Sequence, residues 1–218
     1  MVQKLMNLRN FLKYFLFKDT TFKGEFRAMQ RLLGADCPRF IVDVGANNGF
    51  YASNSYPYVA RGWRAVLIEP HPTIFQKLKQ LHASRPAATC LNIGCADTAG
   101  QRPLYFGIDN PGGSLATMCL DDNFKRVRSE DYTMVPVEML SAVLAAQKFP
   151  HQFGILSVDA EGMDYEVLLG LDLGVWKPRL IVTEDYKPKL EKKSDYLRSH
   201  GYRHAAQCTD NAIWVSAS

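Results

Sequence analysis

The sequence predicts an α/β protein, a doubly wound and mostly parallel sheet closed by an antiparallel hairpin and preceded by N-terminal helices. Three observations carry this. Short β-branched runs alternate with helical stretches from Phe40 to about residue 200, and a glycine-rich acidic loop follows the first run. The last two strand-like runs, Tyr202–Cys208 and Ala212–Val215, are separated only by Thr209-Asp210-Asn211, too short a link for a parallel crossover.

The 218 residues suit one α/β unit with an appendage, divided here into a helical extension over residues 1–36 and a domain over residues 37–218. From Lys4 to Lys18, Leu5, Leu8, Leu12, Phe15 and Leu16 recur at helical spacing with basic residues between, an amphipathic helix fit for an acidic membrane surface or for packing over the domain. A second helix is expected from about Thr21, capped by Thr20 or Thr21, to Leu33, with Gly34 stopping it. The apolar run Phe40-Ile41-Val42, which ends in Asp43-Val44-Gly45, reads as a buried parallel strand. Strands at Arg64–Ile68, Ala88–Ile93, Ile155–Val158 and Leu180–Thr183 then alternate with helices at Pro72–Leu81, Val137–Gln147 and Tyr165–Leu171. Residues 100–133, rich in Gly, Pro and Asp, break the alternation and are expected to insert strands or a loop near the ligand edge.

Composition excludes several classes. Hydrophobic residues are 47% and charged residues 22%, as in ordinary globular chains. Of the net +4, residues 1–40 hold +5, so the remainder is −1 and lacks the basic stripe of a nucleic-acid binder. Five cysteines without a C-x-x-C pair argue against a disulfide framework or a thiolate zinc site. With no membrane-length apolar run, the expectation is a cytoplasmic protein, peripheral to a membrane if the basic helix docks there.

Ligands of open α/β sheets bind beyond the carboxyl ends of the strands. Asp43-Val44-Gly45-Ala46-Asn47-Asn48-Gly49 ends the first strand, and Glu69, 20 residues beyond Gly49, ends the second, where a carboxylate can accept both hydroxyls of a ribose. Charge selects the nucleoside. G-x-G-x-x-G spacing and the Walker pattern are absent, and Asp43 would repel a phosphate, whereas S-adenosylmethionine presents a cationic ammonium and sulfonium that an acidic loop attracts.

Ile41-Val-Asp-Val-Gly-Ala-Asn-Asn-Gly49, Ile68-Glu-Pro70, Asn92-Ile-Gly-Cys-Ala-Asp97 and Ser157-Val-Asp-Ala-Glu-Gly162 with Glu166-Val-Leu-Leu-Gly170, in this order, resemble the FkbM-type family of class I S-adenosylmethionine-dependent methyltransferases over about residues 39–216. The resemblance implies a Rossmann-like sheet of seven strands with the last antiparallel, and O-methylation of hydroxyls, often on sugars or polyketides. It implies that Gly45, Ala46, Asn47 and Gly49 line the methionine and ribose, that Glu69 holds the ribose, and that Cys95, Ala96 or Asp97 lies along the adenine. Asp43 and Pro70 complete the candidate cofactor set, and His71 either flanks the cofactor or starts a helix. This chain departs from the family where Leu156-Ser157-Val158-Asp159 stands in place of an aliphatic-Lys-Ile/Val-Asp run.

Asp159 and Glu161 follow the fourth parallel strand, and Glu184-Asp185 follow the fifth, so adjacent strand ends deliver four carboxylates to one crevice. Two accounts stand side by side. Asp159, Glu184 and Asp185 could hold Mg²⁺ or Mn²⁺ and acidify a bound hydroxyl, as the resemblance to metal-dependent O-methyltransferases suggests. Alternatively Asp159 acts as a metal-free general base, with Glu161 a second catalytic acid or a partner of backbone amides at the next helix. Ser114 in Asn110-Pro-Gly-Gly-Ser114 could bond substrate or sit in a plain surface loop, and Glu184 is a further substrate-binding candidate. Tyr105, Phe106 and Trp63 read as core, and Lys125-Arg-Val-Arg128 as a solvated face. The resulting expectation is an O-methyltransferase for a saccharide or glycoconjugate. Its alternatives are a polyketide or lipid-linked small-molecule acceptor, or a non-catalytic nucleoside-binding module of a glycan-assembly complex. Nothing in the sequence sets the oligomeric state.

Overall fold

The computed structural model describes residues 15, 19–21, 24–107, 116–120, 128–185 and 189–217. The basic helix expected over Lys4–Lys18 therefore lies outside the described residues apart from Phe15. So do Ser114, the rest of the Asn110–Ser114 turn, and Lys125-Arg126-Val127.

In chain order the strands are β1 Phe40–Val44, β2 Arg64–Ile68, β3 Ala88–Leu91, β4 Gly94–Cys95, β5 Gly100–Gly107, β6 Ala116–Thr117, β7 Arg128–Glu138, β8 Gln152–Val158, β9 Lys177–Glu184, β10 Tyr202–Cys208 and β11 Asn211–Ser216. Among the described residues from 19 onward the helices are α1 Glu25–Leu33, α2 Tyr56–Val59, α3 Pro72–His82, α4 Leu140–Ala146, α5 Asp164–Leu169 and α6 Leu190–Ser199. Seven strands form the main sheet in the order β10-β11-β9-β8-β1-β2-β3. β11 runs antiparallel to both β9 and β10, while β3, β2, β1, β8 and β9 are mutually parallel. This is the Rossmann-like doubly wound architecture the alternation predicts.

Alternation along each strand divides the core. Val42, Val44, Leu156, Val158 and Ile181 pack on one face with Leu144, Val167, Leu168 and Leu197 from α4, α5 and α6. Ile41, Ile155, Leu180 and Val182 pack on the other with Phe26, Met29 and Leu33 of α1, Val59 of α2 and Leu78 of α3. The described part of the N-terminal extension is thus built into the core of the main sheet. Asn211 Nδ2 also donates to Glu25 Oε1 at 3.0 Å, tying α1 to β11.

Several boundaries differ from the sequence reading for local reasons. The second helix begins at Glu25, because Gly24 takes a left-handed φ of 98° and breaks the run, although the Thr21 hydroxyl still accepts from Phe26 N at 3.3 Å. The helix expected over Val137–Gln147 starts at Leu140. Val135 and Val137 are buried between exposed neighbours, a strand alternation, and Val137 pairs with both Gly94 and Gly100. The irregular segment contributes β5, β6 and β7 to a separate four-stranded sheet in the order β4-β7-β5-β6. That sheet has its own core of Ala96, Leu104, Met118, Val135, Val137 and Met163, beside the carboxyl ends of the main strands.

Candidate active site

The carboxyl ends of β1, β2 and β8 and the small sheet enclose a cavity of about 220 Å³, lined by residues including Gly45, Ala46, Asn47, Glu69, Pro70, Cys95, Leu104, Met118, Asp159 and Glu161. Its walls divide in character, with carboxylates and backbone amides on the main-sheet side and Cys95, Leu104, Ala116 and Met118 on the other.

The floor follows from the first loop. Gly45 N and Ala46 N both donate to Ile68 O at 2.9 Å, and Asp159 N donates to Val44 O at 2.9 Å, so the ends of β1, β2 and β8 are laced together. Gly45 has φ of 84°, and a Cβ there would lie 1.8 Å from Asp159 O. Only glycine allows that approach. Asn47, also left-handed at φ 52°, presents its N–H to Glu69 Oε2 at 2.9 Å. Glu69 Oε1 accepts from His71 N at 2.8 Å, so one buried carboxylate clamps the loops after β1 and β2. His71 takes the helix-start role, its Nδ1 accepting from Thr73 N at the head of α3.

The structure redistributes part of the predicted cofactor set. Asp43, Gly45, Ala46, Asn47, Glu69, Pro70 and Cys95 line the cavity. Gly49 does not, since a Cβ on it would meet Leu78, Leu81 and His82, and its left-handed turn serves packing against α3. Ala96 is fully buried behind the wall, with its carbonyl close against Gly170. Asp97 turns outward to Arg102, Nη2 to Oδ1 2.9 Å.

Acids converge as expected, but not all four predicted ones. Asp159 is open to the cavity and Glu161 half-buried on its wall. Asp159 is held well above the usual carboxylate range by loss of hydration and then by the negative charges of Glu161, Glu184, Asp164 and Asp43. Glu161 is raised to about 8 by burial and the same kind of repulsion, chiefly from Glu184. Glu184 is raised too, by burial, with Lys193 opposing. Asp185 faces away, accepting from Gln207 Nε2 at 2.8 Å and from Lys193 Nζ at 3.3 Å. Among the described residues no group of three or more His, Cys, Asp or Glu is arranged to hold a metal ion. The proposed set of Asp159, Glu184 and Asp185 therefore lacks the donor geometry for Mg²⁺ or Mn²⁺, because Asp185 is committed to Lys193 and Gln207.

Sequence reasoning missed Asp164. This buried acid accepts from Ala160 N and from Glu184 N, both at 2.9 Å, and so performs the amide-binding task considered for Glu161. Its place at the first turn of α5, three residues after Glu161, was the available signal. Burial raises it to about 7, Asp43 to about 6 and Glu69 to about 7, with hydrogen-bond donors partly offsetting each shift. Ser53 and Asn54 also line the cavity and carry no motif that marks them, and Ser157, part of the departing run Leu156-Ser157-Val158-Asp159, lines it too.

Comparison with known proteins gives a consistent picture. The family profile of the methyltransferase FkbM domain matches residues 43–204. Methyltransferase sdnD of Sordaria araneosa is 29% identical over 178 residues, 68% of this chain and 67% of that protein. The crystal structure of methyltransferase FkbM from Methylobacillus flagellatus KT superposes with a TM-score of 0.51 at 18% identity, covering 82% of this chain. This chain spans only 43% of that one. Precorrin-6y C5,15-methyltransferase from Geobacter metallireducens GS-15 covers 92% of both chains at 14% identity, with a TM-score of 0.47.

Proposed function

Because the chain belongs to the FkbM methyltransferase family, we propose that it moves the methyl group of S-adenosylmethionine to a hydroxyl of a saccharide or glycoconjugate. The observation that carries the reading is Asp159, a carboxyl group open to the cavity at the end of β8 and held well above the usual carboxylate range by loss of hydration and by the surrounding acids.

The cavity fits the donor's chemistry. Asp43, Glu69, Asp159 and Glu161 make it hospitable to a cation, and the close approach of Gly45 to Asp159 O leaves bare backbone against which a ligand can lie. The remaining lone pairs of Glu69 suit a ribose diol, and Cys95, Leu104 and Met118 suit a flat apolar base. When bound, S-adenosylmethionine supplies an electrophilic methyl group on a sulfonium. Asp159 then accepts the proton of the acceptor's hydroxyl, a general-base role worth about 10²–10⁴ in rate. Glu161, on the same wall, tunes Asp159 through repulsion and offers the acceptor a second hydrogen-bonding group. A rim of acids, rich in acceptors, matches a polyhydroxylated substrate.

The test is to screen sugars and glycolipids for release of S-adenosylhomocysteine, and then to compare the wild-type protein with Asp159→Asn. Turnover should fall by about 10²–10⁴ while binding of S-adenosylhomocysteine persists. Undiminished turnover would remove Asp159 from the chemistry, and absence of any hydroxyl acceptor would remove O-methylation.

A further inference from the structure

Asn54 is more than nine-tenths buried, lines the cavity, and its Oδ1 has no hydrogen-bond partner in the structure. A buried acceptor without a donor is costly, and one that faces a ligand cavity marks where a ligand's donor belongs.

The amide's orientation is set by its neighbours. Asp43 and Ser157 are register partners on β1 and β8, and both follow the alternation that places Ile41 and Ile155 on the α1 face of the sheet. The Asp43 carboxyl group lies beside the Ser55 and Ser157 hydroxyls. A serine hydroxyl has one proton, and the acidic side chain beside Ser157 is the natural place for it, which leaves Ser157 Oγ an acceptor toward Asn54. Asn54 Nδ2 duly donates to Ser157 Oγ at 3.2 Å. This bond commits the NH₂ group inward and leaves Oδ1 for the cavity.

The level of this group in the cavity indicates which donor it meets. Asp43 and Ser157 lie two residues below Gly45 and Asp159, beneath the strand ends, whereas Asp159 and Glu161 stand at the rim where an acceptor hydroxyl reacts. A carbonyl oxygen backed by a buried carboxylate is best matched by a positively charged N–H donor. We propose that Asn54 is a donor-binding residue whose Oδ1 accepts a hydrogen bond from the α-ammonium of the methyl donor's methionyl tail. This rests on the methyltransferase reading above and adds a residue to it.

The experiment is calorimetry with two ligands on three proteins. S-adenosylhomocysteine carries the amino-acid tail, and 5′-methylthioadenosine lacks it while keeping the adenosine. Asn54→Ala should weaken S-adenosylhomocysteine by about tenfold or more, the effect of losing a charge-assisted hydrogen bond, and leave 5′-methylthioadenosine within about twofold. Ser157→Ala, which frees the amide to rotate, should weaken the tailed ligand selectively but less. It also serves as the second variant if Asn54→Ala does not fold, as judged by its unfolding transition. Equal losses for both ligands, or unchanged affinity for S-adenosylhomocysteine, would overturn the assignment while leaving the wild-type reading intact. Failure of the wild-type protein to bind either ligand would remove the premise instead.

Discussion

Replacing Gly45 by Ala tests the geometry on which the cavity depends. The new Cβ would sit 1.8 Å from Asp159 O. A carbon–oxygen contact settles near about 3.3–3.6 Å, so the ends of β1 and β8 must part by about 1.5 Å. Three costs follow. A left-handed φ of 84° costs a residue with a Cβ about 1–2 kcal/mol. Overpacking against backbone adds about 1–3 kcal/mol. Separation also threatens the 2.9 Å bond from Asp159 N to Val44 O, worth about 1 kcal/mol. A loss of about 3–6 kcal/mol is expected, measured by urea unfolding with a shared slope for both proteins. Gly201→Ala is the control, since its φ is 80° but open space surrounds it, leaving only the first cost. If Gly45→Ala lost no more stability than Gly201→Ala, the close approach of the two strand ends would be refuted. S-adenosylhomocysteine binding, followed on the same samples, should weaken for Gly45→Ala alone.

Three other outcomes are expected. Asp43, Glu69 and Asp164 have folded-state values of about 6, 7 and 7 against ordinary values near 4, so the folded state holds more protons across that window. Stability of the ligand-free protein should therefore fall as pH rises from about 4 to about 7, with a two-unit shift at one such acid worth about 3 kcal/mol, and urea midpoints lower at pH 8 than at pH 5.5; a midpoint that rises with pH would contradict the burial of these acids. Turnover should survive an excess of chelator and climb with pH as the Asp159–Glu161 cluster loses its protons, Glu161 near 8; loss in chelator and rescue by Mg²⁺ or Mn²⁺ would restore the metal account. Met29→Ala, at a fully buried position of α1, should cost about 2–5 kcal/mol in the same unfolding assay, whereas a near-neutral result would mean that residues 25–33 are detachable from the sheet.

Features of the fold that repeat along the chain were readable from it. Arg64–Ile68 was bounded as observed because a run of β-branched and aliphatic residues buried on both sides admits one structure. Glu69 was found from its distance to the first loop. The hairpin followed from the length of its turn alone. What escaped depends on which residues meet across the fold. The last two residues of β7, Val137 and Glu138, read as the start of a helix because Val137 pairs with strands drawn from elsewhere in the chain. Gly49 belongs to a glycine motif yet faces α3, and nothing local distinguishes it from Gly45. Asp164 and Asn54 act through partners 4–20 and 103 residues away, and no periodicity reports such pairings. Asp185 sits beside Glu184 in sequence, but consecutive residues at a strand end diverge, which is why one joins the acidic cluster and the other faces Lys193.

The place of β11 has a consequence for biosynthesis. It is the last of the seven main strands to leave the ribosome, yet it lies inside the sheet between β9 and β10. Until it emerges, β9 offers a bare edge next to Glu184, and β10 has no neighbour to pair with. A nascent or truncated chain lacking those six residues would expose the unpaired edge of β9 with its apolar Leu180, Ile181 and Val182, the kind of template on which misassembly begins. Emergence of β11 and closure of the sheet are therefore a single event in the folding of this domain.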